Sequence, residues 1–528
     1  MIYLLPHTIF ASAERLPDKE AFKCGRDSLT YAETATKARQ LASALWKFGV
    51  RRGDRVGVYL NRSIETVIAV HGIMHAGAVF VPLDPKSPAE RIQFQIEDCG
   101  IEVIVTNASQ QKNLAGTQVQ GTLVKHIIGL NTPLEDVNNS SWADIFTEQG
   151  GFNPPINQLE TDLAYIMYTS GSTGQPKGIM HTHASGLAFA RLFAATYGLT
   201  ADDRLGGHAP IYFDMSTPAL FVAPLVGASA VIVSDGHTIF PASMSGLLEA
   251  EKITAWYSVP LALTQMLQSQ SLTDRDLTSL RWVIYAGEPF APKYLRELMN
   301  IAPDCRFSNA YGPAETNVCT YYNIPAPPEG DKNISIGNVW GNTDFLLLDA
   351  EGETVADDAP AELLIRSTTM MAGYWGRPDL TERAFHQITG PGGLTEVFYR
   401  TGDLVQQDET GNLHFVGRKD NQVKVRGYRV ELDAIEARLL AHPAVAEAVV
   451  LAIPDKDSTL QLNAVLILQP EGELTGKDLK AFAAEKLTWY AIPEQIHFVT
   501  ELPRTGSGKV SRPALRDEIV GRSGNDAT

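Results

Sequence analysis

Strand and helix patterns alternate along the first part of the chain, and this alternation restricts the possible folds more than any other feature. Helical patterns over residues 31–46 and 63–75 are each followed by short strand patterns, at 55–60 and 79–82. The alternation resumes after Leu163. Such a pattern is typical of parallel sheets that carry helices on both faces. We therefore predict an α/β fold.

The chain of 528 residues is too long for one hydrophobic core, so more than one structural unit is expected. Short strand patterns dominate from about 334 to 417, which predicts a β-rich subdomain. From Asp420 onward, helix and strand patterns mix in a compact stretch. We predict a large N-terminal domain over 1–419 and a small α+β domain over 420–528. The polar segment from about 110 to 160 is interpreted as an irregular surface connection.

Composition excludes several classes of protein. The formal net charge is −17, and no basic cluster offers a face for nucleic acid. The four cysteines are scattered without C-x-x-C spacing, which argues against a disulfide framework or a zinc site. No apolar run is long enough for a transmembrane helix, and the N-terminus lacks the features of a signal peptide. We expect a cytoplasmic protein without nucleic-acid or membrane partners.

The run YTSGSTGQPKG at residues 168–178 follows a strand pattern and combines hydroxyls, glycines and one lysine. Glycines let the backbone approach an anion closely, while hydroxyl, N–H and ammonium groups bind phosphate oxygens. Pro176 rules out a Walker loop, which needs glycine there. A flexible polar loop would need neither the Pro-Lys-Gly ending nor the strand. The candidate phosphate-binding residues are Thr169, Ser170, Gly171, Ser172, Thr173, Gly174 and Lys177.

Two further segments place carboxylates beside aromatic residues. In HAPIYFDMS at 208–216, Asp214 would be costly to bury without a cation, although a helix N-cap is the simpler interpretation for the residue alone. In NAYGPAET at 309–316, a Gly-Pro turn explains the middle of the motif but not Tyr311 and Glu315.

Three later segments complete the set. The segment YRTGDL at 399–404 presents Asp403 at a predicted strand end, a geometry suited to ribose hydroxyls. The segment 417–431 holds five basic residues; its terminal glycines and alternating valines favour a strand and turn over a merely solvated face. A Gly-rich loop at 503–512 carries Lys509, unless this stretch is a disordered tail.

Together and in this order, these motifs resemble the adenylate-forming superfamily, and within it the adenylation domains of nonribosomal peptide synthesis. The resemblance extends from about residue 8 to about 515. It implies a large N-terminal domain of two αβ sheets and a β-barrel subdomain, followed by a small mobile C-terminal domain. It also implies attack of a substrate carboxylate on the α-phosphate of ATP, giving an acyl-adenylate and pyrophosphate.

The resemblance also implies roles for individual residues. Glu315 would hold Mg²⁺, Asp403 would bind the ribose hydroxyls, and Arg418 would lie near the ribose or the phosphates. Tyr311 would stack on adenine next to Asn309 and Ala310, the phosphate loop with Lys177 would hold pyrophosphate, and Lys509 would bridge the carboxylate and ATP. Asp420 corresponds to the hinge of the family, and Gly427 lies in the loop used for thioester formation. Ala314 departs from the family pattern, which has threonine there.

A carboxylate at the position of Asp214 pairs, in this family, with the ammonium group of an amino acid. The implied lining is apolar and consists of Met215, Pro218, Leu261, Ile284, Ala286, Ala310, Val318 and Cys319. This excludes acidic and basic amino acids on desolvation grounds. The motif region is similar to that of free-standing prolyl ligases of natural-product pathways, which makes proline the first candidate, before alanine-like, branched-chain and β-amino acids.

No Gly-x-Ser phosphopantetheine site follows Arg512, so we expect the acceptor thiol on a separate carrier protein or on coenzyme A. Two alternatives remain open from the sequence. One is an acyl- or aryl-CoA ligase on the same fold, against which Asp214 argues. The other is a non-catalytic nucleotide-binding module, against which the intact Lys177, Glu315, Asp403 and Lys509 argue.

Overall fold

The structure is a computed structural model. It describes residues 1–117, 119, 121–148, 152–154, 157–169, 176–355, 359–390, 392–455, 459–469, 472–504 and 510–525. The chain divides into two compact units, each of which is described by itself. The first unit comprises Met1–Pro85, Ile92–Tyr168 and Gly178–Lys419, and the second comprises Lys86–Arg91, Thr169–Lys177 and Asp420–Thr528.

A nine-stranded sheet forms the centre of the first unit. Its strands, in chain order, are β1 (Glu20–Cys24), β2 (Asp27–Thr30), β10 (Arg204–Gly207), β11 (Ser229–Ile232), β12 (Ala255–Ser258), β13 (Trp282–Tyr285), β14 (Arg306–Tyr311), β15 (Thr320–Ile324) and β16 (Asn338–Val339). In space the order is β16-β15-β14-β13-β12-β10-β11-β1-β2. The run from β14 to β1 is parallel, and antiparallel strands flank it on both sides.

An eight-stranded sheet lies in the same unit. It contains β3 (Arg55–Val58), β4 (Val79–Pro82), β5 (Val103–Val105), β6 (His126–Ile128), β7 (Asn138–Ser140), β8 (Leu163–Thr169), β9 (Lys177–Thr182) and β19 (Gly373–Tyr374), in the order β19-β9-β8-β4-β3-β5-β6-β7. The interpretation of 110–160 as an irregular connection is wrong, because β6 and β7 extend this sheet in parallel register. Each has only three residues, too few for a period-two pattern to stand out.

The β-rich stretch forms a separate antiparallel sheet of β17 (Thr343–Leu348), β18 (Ala361–Ser367), β20 (Phe385–Thr389), β21 (Thr395–Gln407) and β22 (Leu413–Arg418). The long strand β21 pairs with β18, β20 and β22. Leu363, Ile365 and Val405 lie in its buried cluster.

Helices connect the strands. They are α1 (His7–Arg15), α2 (Tyr31–Lys47), α3 (Ile64–His75), α4 (Ala89–Cys99), α5 (Gln111–Gly116), α6 (Trp142–Ile145), α7 (His183–Tyr197), α8 (Ala223–Val226), α9 (Asp235–Ile239), α10 (Pro241–Ala250), α11 (Pro260–Gln268), α12 (Pro292–Ile301), α13 (Pro378–Ala384), α14 (Leu432–Leu440), α15 (Gly476–Ala484) and α16 (Arg512–Asn525). Short 3₁₀ turns occur at Ala108–Gln110, Asp214–Ser216 and Trp489–Ala491, and a π-helical turn at Pro218–Val222.

Local chemistry sets the limits of these helices. Thr30 and Thr182 form capping boxes at the starts of α2 and α7, so that N-terminal N–H groups find acceptors. Gly198 ends α7 in the left-handed conformation that glycine adopts readily. Helix α3 is buried on nearly every face, which explains its almost uninterrupted apolar sequence.

The second unit contains a hairpin of β23 (Gln422–Val425) and β24 (Tyr428–Glu431), and a three-stranded sheet of β25 (Val445–Pro454), β26 (Leu460–Leu468) and β27 (Gln495–Phe498). Helices α14 and α15 contribute Ile435, Leu439 and Leu479 to its core. Within the described residues, no helix combines the length and apolar character needed to cross a membrane.

Candidate functional site

Four parallel strands of the nine-stranded sheet end side by side and create the setting for the candidate site. Tyr257 on β12 lies opposite Ile284 on β13, which lies opposite Ser308 on β14, and β10 flanks β12 on its other side. In open α/β sheets, ligands bind beyond the carboxyl ends of such strands. The segments that follow these strands contain most of the residues predicted to bind substrate.

Asp214 follows β10 and begins a 3₁₀ turn, Asp214–Ser216. Phe213, not Asp214, is the N-cap residue, so the simple capping interpretation is wrong. The Met215 N–H donates to Asp214 Oδ1 at 2.9 Å, and the Thr217 hydroxyl donates to the Asp214 carbonyl at 2.6 Å. These two hydrogen bonds hold the half-buried carboxylate on a defined backbone.

Most of the predicted apolar lining lies in one buried cluster. This apolar cluster includes Ile284, Ala286, Ala310 and Val318, and Met215 packs against it. Pro218 is also buried, at the start of the π-helical turn. Pro218 is not a member of the cluster, and neither are two other predicted lining residues: Cys319 packs with Tyr311 in the core of the β-rich region, and Leu261 is half-buried beside Glu288.

Burial raises the pKa of Tyr257 well above its ordinary value, and the Asp214 charge raises it further. Tyr257 is a member of the apolar cluster, so the Asp214 carboxylate is close enough to this cluster for its charge to act on one of its side chains. The arrangement combines one negative charge with an apolar surface, which suits a ligand with one cationic and one apolar part.

A second carboxylate, Asp403, forms what we term the Asp403 cluster with Tyr311 and Arg418. Asp403 lies directly opposite Arg418 across β21 and β22. The Tyr311 hydroxyl donates to one oxygen of this carboxylate, and the Arg418 guanidinium donates to the other. Burial and the Asp403 charge raise the pKa of Tyr311, which keeps the phenol protonated as a donor.

Asp403 was expected at a strand end, but it lies within the long strand β21. The neighbouring Gly402 has a φ of 70°, and the pairing register shifts just after Leu404. A glycine in this position is typical of a strand end as well as of a bulge within a strand. The sequence therefore did not reveal that pairing continues past the glycine. Asn309 is likewise engaged: its Nδ2 donates to the Ser335 carbonyl at 2.8 Å.

Glu315 is fully buried, and the Tyr374 hydroxyl donates to its Oε1 at 2.7 Å. The Met371 N–H donates to the Glu315 backbone carbonyl at 2.7 Å, which fixes the turn. Within the described residues, no group of three or more His, Cys, Asp or Glu side chains could hold a metal ion alone. A single fixed carboxylate nevertheless suits Mg²⁺, which combines one or two carboxylates with substrate phosphates.

His181, on β9, was not predicted as part of the site. Its Nε2 lies 2.9 Å from the Ala314 carbonyl, and its ring stacks on Tyr165 at 4.9 Å. Burial lowers the pKa of His181 to about 4, so the ring is neutral at neutral pH. Nε2 must carry the proton because the carbonyl can only accept, and Nδ1 can then accept from the Ser185 hydroxyl at 3.3 Å.

Sequence analysis also missed Tyr165 and Asn317, which we term the Tyr165–Asn317 pair. The two side chains face each other closely enough to interact, but neither the Tyr165 hydroxyl nor the amide of Asn317 has a further hydrogen-bond partner among the described residues. Leaving a buried polar group unpaired costs about 1–3 kcal/mol. The available signal was Asn317 itself, an amide between the turn at Gly312 and the apolar Val318.

Several predicted residues cannot be placed. Ser170, Gly171, Ser172, Thr173, Gly174 and Lys509 lie outside the described residues. Thr169 ends β8 and Lys177 begins β9, so they flank the predicted phosphate loop. In the second unit, Asp420 accepts from the Gln422 N–H at 3.2 Å.

Gly427 lies at the tip of the hairpin formed by β23 and β24. Arg426 and Gly427 have φ values of 54° and 78°, the pattern of a tight two-residue turn. The Arg426 guanidinium lies 2.6 Å from a Glu494 carboxylate oxygen, which secures the unusual conformation of the arginine.

Comparison with known proteins agrees with this geometry. A family model described as AMP-binding enzyme matches residues 9–375, and one described as AMP-binding enzyme C-terminal domain matches residues 434–509. The crystal structure of the Vibrio cholerae adenylation domain AlmE with glycyl-adenosine-5'-phosphate has the same fold, with a TM-score of 0.85 and 23% identity over 99% of this chain and 98% of that one. The family match over residues 9–375 defines the class of the protein: the chain is an adenylate-forming enzyme.

Two curated relatives are more similar in sequence. An L-proline--[L-prolyl-carrier protein] ligase of Pseudomonas fluorescens is 33% identical over 98% of this chain and 100% of its own length. Tyrocidine synthase 1 of Brevibacillus parabrevis is 34% identical over 96% of this chain but only 44% of its own length. The chain belongs to the AMP-binding enzyme family and is an AMP-forming ligase; the predicted fold and superfamily are confirmed. Enzymes of this family use ATP.

Proposed function

We propose that this enzyme activates an apolar amino acid, with L-proline as the first candidate, as an aminoacyl-adenylate. It then transfers the aminoacyl group to the phosphopantetheine thiol of a separate carrier protein in a natural-product pathway. The observation that carries the proposal is Asp214, held on a 3₁₀ turn beside the apolar cluster. The relative that is matched over its whole length is named for this reaction with proline.

The substrate class follows from the cost of an unpaired charge. A partly buried carboxylate is stabilised when an ammonium group pairs with it, whereas a fatty or aryl acid offers no such group. Ala286, Ala310 and Val318 present small and medium apolar surfaces. A second charge on the substrate would have to be desolvated against them, which disfavours acidic and basic amino acids.

The Asp403 cluster is proposed to bind the nucleoside of ATP. Asp403 accepts hydrogen bonds from the ribose hydroxyls, in addition to those from Tyr311 and Arg418. Tyr311, next to Asn309 and Ala310, supplies the aromatic face for adenine. Because Arg418 already compensates the Asp403 charge, the carboxylate is oriented before the nucleotide arrives.

The chemical step joins two anions, the substrate carboxylate and the α-phosphate. At about 4 Å and an effective dielectric near 20, like unit charges repel by roughly 4 kcal/mol. We propose that Lys509 bridges the two groups and that the phosphate loop, with Lys177 and the hydroxyls of Thr169, Ser170, Ser172 and Thr173, holds the pyrophosphate. Mg²⁺ at Glu315 would supply the remaining positive charge on the phosphates. Tyr374 fixes the orientation of Glu315 for this purpose.

For the second half-reaction, we propose that the C-terminal domain turns about Asp420. This movement would exchange the loop of Lys509 for the hairpin turn at Gly427, so that each half-reaction uses its own segment.

ATP–pyrophosphate exchange with the twenty amino acids tests the first half-reaction. We expect proline to give the highest rate and charged amino acids to give none. Cyclopentanecarboxylic acid, which has the ring of proline without the nitrogen, serves as the matched control and should not support exchange. Exchange with fatty or aryl acids alone would contradict the proposal.

Loading of a carrier protein tests the second half-reaction. Radiolabelled amino acid should become attached to carrier protein that bears phosphopantetheine, and not to the same carrier with its attachment serine replaced by alanine. Equal transfer to coenzyme A in place of the carrier would contradict the carrier assignment while leaving adenylation intact.

A further inference from the structure

The Tyr165–Asn317 pair has unused hydrogen-bonding capacity at a buried position. Tyr165 is 0% exposed and Asn317 is 2% exposed, yet apart from their contact with each other the phenol oxygen and the amide atoms lack partners among the described residues. Buried polar side chains are rarely left unpaired, and those that are commonly meet a ligand or an ordered water. The two residues that precede Asn317 differ in this respect, since the Thr316 hydroxyl donates to the Pro313 carbonyl and the Glu315 carboxylate accepts from Tyr374.

The pair cannot relieve this deficit by a simple rearrangement. Asn317 has a φ of 54°, and its carbonyl oxygen would lie 1.6 Å from a Cβ atom on Gly312, so the backbone is tightly packed. The Tyr165 ring is stacked between Phe80, at 5.3 Å, and His181, at 4.9 Å. The backbone of Asn317 and the ring of Tyr165 are therefore held in place.

The surroundings of the pair point to a cationic ligand. Burial raises the pKa of Tyr165, and the Asp214 charge raises it further. The phenol is therefore within electrostatic range of the carboxylate that is proposed to bind ammonium. Asn317 immediately precedes Val318, a member of the apolar cluster. The pair is therefore near enough to Asp214 for its charge to act on the phenol, and it is joined through the backbone to the apolar cluster.

We propose that Asn317 Oδ1 is a second acceptor for the ammonium group of the substrate, next to Asp214. The Tyr165 oxygen accepts from Asn317 Nδ2 and so determines that the amide presents its oxygen. A secondary ammonium such as that of proline has two N–H donors, one for Asp214 and one for Asn317. The inference rests on the proposed function and adds to it a residue that recognises the amino group.

The test compares two Asn317 variants in ATP–pyrophosphate exchange. N317L removes both polar atoms and should raise KM for the amino acid about 10- to 100-fold, the usual effect of losing a hydrogen bond to a charged group. KM for ATP should stay within about twofold, since the nucleotide site is unchanged. N317D keeps the acceptor oxygen and should restore KM for the amino acid to within a few-fold of the wild-type value.

The matched control is N342L. Asn342 is exposed and has a φ of 61°, so leucine there experiences the same left-handed backbone without any change at the site. Inhibition by the acid without nitrogen, cyclopentanecarboxylic acid, provides the second readout. Its inhibition constant should be the same for wild type and N317L, because this acid has no N–H to lose.

Three results would overturn the inference. One is an unchanged KM for the amino acid in both Asn317 variants. The second is an equally large loss of cyclopentanecarboxylic acid binding in N317L, which indicates a packing role. The third is a rise in KM in N317D as large as in N317L, which indicates that Asn317 acts as a donor. If N317L does not fold, Y165F gives the same comparison and should raise KM for the amino acid alone. Wild-type protein that exchanges with no amino acid would overturn the proposed function, and this inference with it.

Discussion

The Asp403 cluster and the Tyr165–Asn317 pair are both buried, but they satisfy their polar atoms in opposite ways. Both oxygens of Asp403 receive protein donors, from Tyr311 and Arg418. The amide of Asn317 faces only Tyr165, and its Oδ1 has no further partner within the described residues. The proposed nucleotide site is thus ordered by the protein itself, while the proposed amino acid site reaches its full complement of hydrogen bonds only with substrate.

The largest effect is expected at Asp214, on the substrate side of this comparison. D214N preserves the shape and removes the charge that pairs with ammonium, a contribution of roughly 4 kcal/mol at an effective dielectric near 20. We expect kcat/KM for the amino acid to fall about a thousandfold, with KM for ATP nearly unchanged. D202N, an exposed aspartate, is the control. A loss divided equally between the two substrates would contradict the separate roles.

The next effect is expected in the Asp403 cluster. D403N weakens a charge-assisted hydrogen bond to ribose and should raise KM for ATP about 10- to 100-fold, while KM for the amino acid stays within about twofold. D344N is a matched control, because Asp344 also pairs with an arginine directly opposite it on a neighbouring strand, Arg366, but on the surface. If D403N raised KM for the amino acid alone, Asp403 would belong to the amino acid site rather than to the nucleotide site.

His181 stacks on Tyr165 and holds the Ala314 carbonyl, and its titration should weaken the first unit in acid. Burial lowers its pKa to about 4, whereas the unfolded chain binds a proton near the ordinary value of 6.5. The contribution of neutral His181 to the free energy of unfolding is therefore fully present above about pH 6.5 and is lost as the pH falls towards 4. At pH 5 the loss is about 2 kcal/mol.

Urea unfolding followed by tryptophan fluorescence measures this effect, because every tryptophan except Trp489 lies in the first unit. H181Q should lose less stability than wild type between pH 7 and pH 5. Other buried histidines, such as His71 and His208, remain in both proteins and serve as the internal reference. Equal losses of stability in H181Q and wild type would contradict the assignment of this acid effect to His181.

The smallest effect is expected for Y311F, which removes one of the two donors to Asp403 and keeps the ring. KM for ATP should rise about 3- to 10-fold, as expected for a single hydrogen bond. Y294F, which removes a partly exposed hydroxyl that accepts from Gln268, is the control. An effect as large as that of D403N would mean that Tyr311, rather than Arg418, orients the carboxylate.

Sequence analysis located the charged residues because their motifs are local. Asp214, Glu315 and Asp403 each lie in a short segment whose composition has no simple structural explanation. What it could not provide was the partner of each charge, since Tyr374 lies 59 residues from Glu315 and pairs with it only through the fold. Tyr165 was missed because a tyrosine in an apolar strand is normally a core residue, and nothing local indicates that its hydroxyl lacks a partner.

The pairing of β1 with β11 has a consequence for synthesis of the protein. Phe22 lies opposite Ala230 in the parallel register, so the strand that leaves the ribosome among the first finds its neighbour only after α7 and β10 have been made. Until then the hairpin with β2 covers only one edge of β1, and the cluster that buries Phe22 contains residues of α2 and α3 but lacks those of β11. Chaperone binding during translation should therefore concentrate on this N-terminal segment, and premature termination before Ser229 should yield aggregates rather than a smaller folded product.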